Sequence, residues 1–454
     1  MTQGLAAIRR FLSFDPVAHG SSWPTEIMAG LTTFGAMGYI IVVNPAILSA
    51  TGASRADMIV VTALAAMAGS LLMAFLSRLP IALAPGMGSN VVFAQVVVVR
   101  MGLSYGTALS MVMVGAILFV LLSMSQLRHN IVRGFPETIR IGLQGGIGLF
   151  IAYLGLRSGG LVTADHAGNL GFGDLRSPAV LLVFLSVLIT PALIALRVRG
   201  AFLLSIAFVT VAGLFVPTGT GHVMTVLPDH LIEIPRIPRT YLFAFDDRQF
   251  IEHFFLVLPI TLYFFLSDFF SATATMIAVT RRAGLMDEHG GFPNARRAYL
   301  ADGLASVIGA CLGSPTVGAY VESAAGVEMG GRTGATTLVV ALLFGASAFF
   351  WPLITVIPPQ ATAAALVMVG VLMMEGLGHL DMSRPIEAVP AVLILLLTVA
   401  TTNLMIGLCS GCFVYTVMAA AMRDWKRLTP VFLLTDVLLI IYLILMSSTT
   451  IDSA

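Results

Sequence analysis

The chain has 454 residues, of which 58% are hydrophobic and 10% charged, and its formal net charge is +1. Soluble domains carry about 25% charged residues, so the composition excludes a soluble globule and indicates a membrane protein with many spans. With Lys426 as the only lysine there is no basic surface for nucleic acid.

At the amino terminus, Arg9-Arg10-Phe11-Leu12 is followed by a full apolar span and not by a short one with a cleavage site. Residues 1–24 therefore read as a cytoplasmic amphipathic segment, not an export signal. A bilayer crossing takes about 20 apolar residues. Runs of that kind lie at 25–49, 57–77, 80–99, 105–126, 136–157, 178–197, 200–217, 249–280, 298–312, 313–329, 334–356, 360–376, 386–403 and 404–422, fourteen in all. The apolar stretch 429–448, which holds Asp436, leaves three readings open: a fifteenth span, a surface helix, or a wrong division of the preceding region. The placement of 423–454 stays undecided with it.

Cytoplasmic loops are enriched in Lys and Arg. With the amino terminus inside, that side receives Arg9, Arg10, Arg78, Arg128, Arg133, Arg197, Arg199, Arg281, Arg282, Arg296, Arg297, Arg332, Arg384, Arg423, Lys426 and Arg427. Arg55, Arg100, Arg157, Arg176, Arg236, Arg239 and Arg248 fall outside, three of them in the long external loop 218–248. The bias favours a cytoplasmic amino terminus.

An internal repeat is visible. Residues 178–190, beginning Pro178-Ala179-Val180-Leu181, return as 390–402, beginning Pro390-Ala391-Val392-Leu393. They sit in the sixth and thirteenth spans, and a repeat of seven spans inverts the second copy. The expected fold is thus all-α, fourteen transmembrane segments as an inverted seven-plus-seven repeat.

That repeat makes the third and tenth spans equivalent, and both are interrupted. Ala84-Pro85-Gly86-Met87-Gly88-Ser89-Asn90 breaks one and Gly313-Ser314-Pro315-Thr316-Val317-Gly318 opens the other. Proline removes an amide and glycine lowers helix propensity, so such breaks free backbone groups to meet a ligand. A packing kink would use the same residues. Polar side chains follow each break: Ser89 and Asn90 in one, Tyr320, Glu322 and Ser323 in the other. If the backbone is extended there, Tyr320 and Glu322 share a face, and the ring stands beside the carboxylate as a platform for a flat heterocycle. A tyrosine packed in the core fits equally.

Asp268 and Glu322 are the most informative residues, because each lies within an apolar run. An acidic residue at mid-membrane costs about 2.5–3.5 kcal/mol on insertion scales and as a rule faces a cavity or a partner. Asp268, Ser271 and Thr275 recur at helical spacing, so one inward face is expected to carry all three. Glu252-His253 reads as a solvated mouth, and Asp302 and Glu328 as residues near span ends with access to water. Loop residues His222, Asp229, His230 and Glu233 lack a ligand spacing, and Cys409-Ser410-Gly411-Cys412 reads as helix packing, so neither a metal nor a redox cofactor is expected.

Five runs taken together carry a family likeness. They are Gly30-Leu31-Thr32-Thr33-Phe34 continuing to Leu48, Pro85 to Asn90, Gly146 to Ala152, Asp268-Phe269-Phe270, and Tyr320-Val321-Glu322-Ser323 continuing to Gly334. In this order the chain resembles the nucleobase:cation symporter superfamily, and within it the AzgA-like purine permeases for adenine, guanine and hypoxanthine. The resemblance covers about residues 25–422. It implies a core domain (25–126 and 249–356), a gate domain (136–217 and 360–422) and an elevator-like movement between them. It also implies a plasma or inner membrane location, a proton as coupling ion, and a possible homodimer through the gate.

The substrate site implied by the resemblance centres on Asn90, Asp268 and Glu322, the same three reached from the residues alone, with Gly88, Ser89, Ser271 and Tyr320 beside them. This chain departs from the branch where Ser271 replaces a second acid, Ala274 a glycine and Ser89 a bulkier residue. Glu322 and Asp268 are expected to exchange the coupling proton. The rival readings are a carrier of the same fold for xanthine or uracil, a sulfate-type anion carrier, and a membrane-embedded enzyme. Two carboxylates oppose an anion, and none of the eight histidines clusters within a span as an intramembrane metal enzyme requires.

Overall fold

The computed structural model describes residues 14–125, 135–164, 170–198, 200–217, 223–287 and 291–451. Arg9, Arg10, Arg128, Arg133, Arg199 and His222 lie outside the described residues. Among those described, nine helices are long and apolar enough to cross a membrane, from Trp23–Thr51 to Leu404–Ala421, and shorter apolar helices such as Met87–Arg100 and Ala201–Ala212 accompany them.

Helix contacts sort the bundle into two groups. In the first, Arg55–Leu72 packs on Gly334–Ser347, Ala295–Leu312 on Tyr105–Met124, Trp23–Met37 on Gly334–Ser347, and Phe254–Arg282 on Tyr105–Met124. In the second, Glu137–Ser158 packs on Pro359–Met373 and Pro385–Ala400, and Pro178–Ala195 on Pro359–Met373. Each contact has a counterpart when the halves are exchanged, as an inverted repeat requires. The central pair of the second group approaches through Gly148 and Gly370, where a methyl on either would strike the carbonyl of the other. The repeated segments 178–190 and 390–402 both lie on or just past helices, although Pro178 opens its helix and Pro390 lies inside one that Pro385 opens.

Capping follows the same symmetry. Glu26, fully buried in the first turn of Trp23–Met37, accepts the amides of Arg332 (3.0 Å), Thr333 (3.4 Å) and Thr336 (3.1 Å) and the Thr336 hydroxyl (2.5 Å) at the start of Gly334–Ser347. In the other half Gln249 accepts the Ser104 amide at 2.9 Å and the Thr107 hydroxyl at 2.5 Å, at the start of Tyr105–Met124. The unpaired amides of a helix start are satisfied each time from a neighbouring helix.

Both predicted breaks are present, with a consequence that the sequence did not show. Strand β1 (Leu83–Pro85) and, after the hairpin strands β2 (Val162–Ala164) and β3 (Leu170–Phe172), strand β4 (Val317–Ala319) are the extended pieces. β1 and β4 pair antiparallel, Leu83 with Ala319 and Pro85 with Val317. The Gly86 amide donates to the Thr316 carbonyl at 2.9 Å, and that of Tyr320 to the Ala82 carbonyl at 3.0 Å. Backbone expected to be free for a ligand is thus largely spent on the other break, the partner that lipid cannot supply. In place of a continuous span over 313–329 there is a strand and the short helix Ser323–Glu328.

Beyond the repeat, helix Pro430–Ile451 packs on Leu404–Ala421 and on Phe254–Arg282. Phe432 is buried between Phe135 (5.6 Å) and Tyr415 (5.4 Å), and buried Asp436 accepts the Thr416 hydroxyl at 2.7 Å. Its apolar part, Phe432–Ile444, is one of the shorter apolar helices of the bundle.

Candidate functional site

The crossing of β1 and β4 is flanked by two helices that each present a carboxyl. Asp268, from Phe254–Arg282, is 8% exposed. Its Oδ1 accepts the Ser89 hydroxyl at 3.4 Å and its Oδ2 that of Ser306 at 3.0 Å. Ser306, on Ala295–Leu312, also holds β4: its oxygen accepts the Val317 amide at 2.9 Å and can donate to the Val317 carbonyl at 2.9 Å. Ser70 repeats this on β1, accepting the Leu83 amide at 3.0 Å and donating to its carbonyl at 2.8 Å, with no carboxylate among its partners.

Asp302 lies one turn before Ser306 and is fully buried, which corrects the expectation that it reaches water near a span end. Its Oδ1 accepts the Ala319 amide at 2.9 Å, while its buried Oδ2 has no partner. Glu328 does lie at an exposed end, paired with Arg282 at 2.7 Å. Glu252 pairs with Arg248 at 2.9 Å on an exposed turn.

Glu322 immediately precedes helix Ser323–Glu328 and accepts the Tyr39 hydroxyl at 2.7 Å. Its backbone is already helical, at φ −59° and ψ −17°, so the extended geometry expected to align it with Tyr320 ends at Ala319. The Tyr320 hydroxyl donates to the Pro85 carbonyl at 2.5 Å and so fastens one break to the other. Asn90 is fully buried, and its amide donates to Asn44 Oδ1; Asn44 in turn donates to Thr62 at 2.8 Å. The Asn90 Oδ1 atom is buried without a partner, an acceptor to spare.

Gly88 is a point of contact between the helix groups. A Cβ there would stand 3.0 Å from Ile147 Cγ2 and 3.6 Å from Met373 Cε, atoms of the second group. Only glycine leaves ordinary clearance at this surface.

Of the residues named from sequence, the structure gathers Gly88, Ser89, Asn90, Asp268, Tyr320 and Glu322 on or beside the crossing. Ser271 is exposed and outside the buried network. On a helix it is about 60° from Asp268 and Thr275 only about 20°, and the buried arc includes Thr275 but stops short of Ser271. Sequence reasoning missed Tyr39, Asn44 and Ser306 as partners and undervalued Asp302. Tyr39 and Asn44 do lie within the quoted family runs, a usable signal; Ser306 carries none.

Among the described residues, no Lys or Arg forms an ion pair with Asp268, Asp302 or Glu322, whereas the ion pairs seen join exposed or half-exposed side chains. A cluster of carboxyl, hydroxyl and amide oxygens without a paired cation suits a neutral ligand rich in N–H donors better than an anion.

Comparisons with known proteins agree with this architecture. Residues 24–408 match the Permease family profile Xan_ur_permease. The chain is 37% identical to the guanine/hypoxanthine permease PbuO of Bacillus subtilis (strain 168), covering 93% of this chain and 97% of that one. It is likewise 37% identical to the adenine permease AdeQ of Escherichia coli (strain K12), covering 90% of each. Among solved structures, the transmembrane domain of a cyanobacterium bicarbonate transporter, BicA, superposes with a TM-score of 0.63 at 16% identity, over 86% of this chain and 97% of that one. SLC26A9 does so with 0.60 at 11%, over 88% and 65%. These likenesses place the chain in the inverted-repeat core and gate fold. The chain belongs to the nucleobase:cation symporter family of multi-pass membrane transporters, and it is a permease and not an enzyme.

Proposed function

We propose that this protein takes up purine nucleobases of the adenine, guanine or hypoxanthine class by proton symport. The observation that carries the reading is the pair of carboxyls, Asp268 and Glu322, brought from different helices to the crossing of two broken helices without a cation. A purine presents N–H donors and ring-nitrogen acceptors on one plane. The carboxyls meet the donors, and Asn90 and Ser89 complete the polar lining. An analogue lacking a matching donor leaves a buried carboxyl unpaired, which is how such a site discriminates.

In this reading Glu322 and Asp268 carry the coupling proton. Loading base and proton together lowers the negative charge of the site, and the first helix group then moves against the second as core against gate. Fourteen crossings, a cytoplasmic amino terminus, a plasma or inner membrane location and a homodimer through the gate belong to the same proposal. The names of the relatives support the purine class, and the absence of a basic partner at the carboxyls disfavours the anion carried by the structural neighbour BicA.

The test is uptake of radiolabelled adenine, hypoxanthine, guanine, xanthine and uracil in a permease-deficient strain, with and without an uncoupler. Uptake of a purine that the uncoupler abolishes is expected. Sulfate or bicarbonate uptake without any base would overturn the reading, and proton-driven accumulation by Glu322→Gln protein would remove the coupling role from Glu322.

A further inference from the structure

Tyr39 stands at the turn between Trp23–Met37 and Ile40–Leu48. The side chain is fully buried, and it touches both helix groups. Its hydroxyl donates to Glu322 Oε1 at 2.7 Å within the first group. Its ring lies 4.7 Å from that of Phe202, on helix Ala201–Ala212, which packs on Pro178–Ala195 and Pro359–Met373 of the second. The adjoining turn makes the same contact, since a Cβ on Gly38 would stand 3.5 Å from Leu203 Cδ1.

Resting on the proton-coupled reading above, we infer that Tyr39 is a positioning residue that ties the charge state of Glu322 to the place of helix Ala201–Ala212. An ionised carboxylate only accepts, and the Tyr39 hydroxyl is the donor it holds. A charge-assisted bond of this kind is about twice as strong as a neutral one. Once Glu322 takes up a proton the carboxyl has a donor of its own, and its tie to Tyr39 loosens. Among the described residues, Tyr39 and Tyr320 are the titratable groups facing Glu322. The tie therefore responds to the proton on Glu322, and the ring against Phe202 passes its tightness to the surface along which the groups slide.

The experiment compares wild type and Tyr39→Phe in proteoliposomes, using radiolabelled hypoxanthine and adenine. One readout is accumulation driven by an imposed proton gradient; the other is exchange against unlabelled base at equal pH. Tyr39→Phe is expected to lower accumulation by about tenfold or more, the scale of one hydrogen bond to a charged group, while exchange stays within about threefold. Equal losses in both, or none in either, would reduce Tyr39 to a packing residue and overturn the inference. Should Tyr39→Phe fail to fold, Phe202→Leu, which removes the facing ring and keeps the hydroxyl, is expected to show the same split, and its absence counts equally against it. Wild type that exchanges neither base defeats the functional reading itself and this inference with it, a result distinct from any failure of the variants.

Discussion

The Ser306 hydroxyl faces two acceptors with one hydrogen: Asp268 Oδ2 at 3.0 Å and the Val317 carbonyl at 2.9 Å. A hydroxyl donates once, so it serves Asp268 when that carboxyl is ionised and can turn to Val317 when Asp268 carries its own proton. Ser70 makes the same backbone bonds to Leu83 without a carboxylate. Ser306→Ala and Ser70→Ala should therefore each destabilise the fold by about 1–3 kcal/mol through an unsatisfied buried amide. Only Ser306→Ala should alter the pH dependence of uptake. Thermal unfolding in detergent and uptake against external pH measure the two effects separately.

Gly88 sets the clearance between the helix groups. On the proposed movement of core against gate, Gly88→Val should leave the protein folded but reduce uptake by about tenfold or more, because overpacking of a close surface costs about 1–3 kcal/mol. Ile147→Ala in the same chain should restore part of the rate, since Ile147 Cγ2 is the nearest atom to the added carbon. Initial uptake rates of the single and double variants, normalised to protein in the membrane, decide it.

Glu26 serves architecture. Its carboxylate accepts three amides and a hydroxyl at the start of Gly334–Ser347, and each hydrogen bond to a charged group is worth about 1.5–3 kcal/mol. Glu26→Ala should lower the unfolding temperature sharply, with Glu26→Gln intermediate. Substrate affinity in the protein that remains folded should be unchanged. A large change in KM at unaltered stability would contradict this assignment.

Tyr320 separates two roles. Its hydroxyl is committed to the Pro85 carbonyl at 2.5 Å, which leaves the ring as the part able to meet a base. Tyr320→Phe should keep KM within about tenfold, the value of one neutral hydrogen bond. Tyr320→Ala should raise it further by removing the ring. Equal effects of the two changes on KM would assign the role to the hydroxyl alone.

Much of the site was legible because membrane-spanning sequence penalises charge and broken helices. Asp268 and Glu322 stood out against their apolar surroundings, and Pro85-Gly86 and Gly313-Ser314-Pro315 marked both interruptions. Ser271 misled because spacing orders residues around a helix without giving the width of its buried arc. Asp302 misled because it lies close to the end of the span 298–312, whereas the helix carries it inward to the Ala319 amide.

By itself, then, the sequence determined the membrane class, the two acids and the places where helices must stop, since each follows from the local cost of putting a residue in lipid. Only the tertiary structure decided that the two breaks satisfy one another, that Ser306 stands between Asp268 and β4, and that Tyr39 joins Glu322 to Phe202. Those contacts unite segments far apart along the chain. A hydrogen bond depends on the distance between its atoms, and that distance is fixed by how whole helices pack.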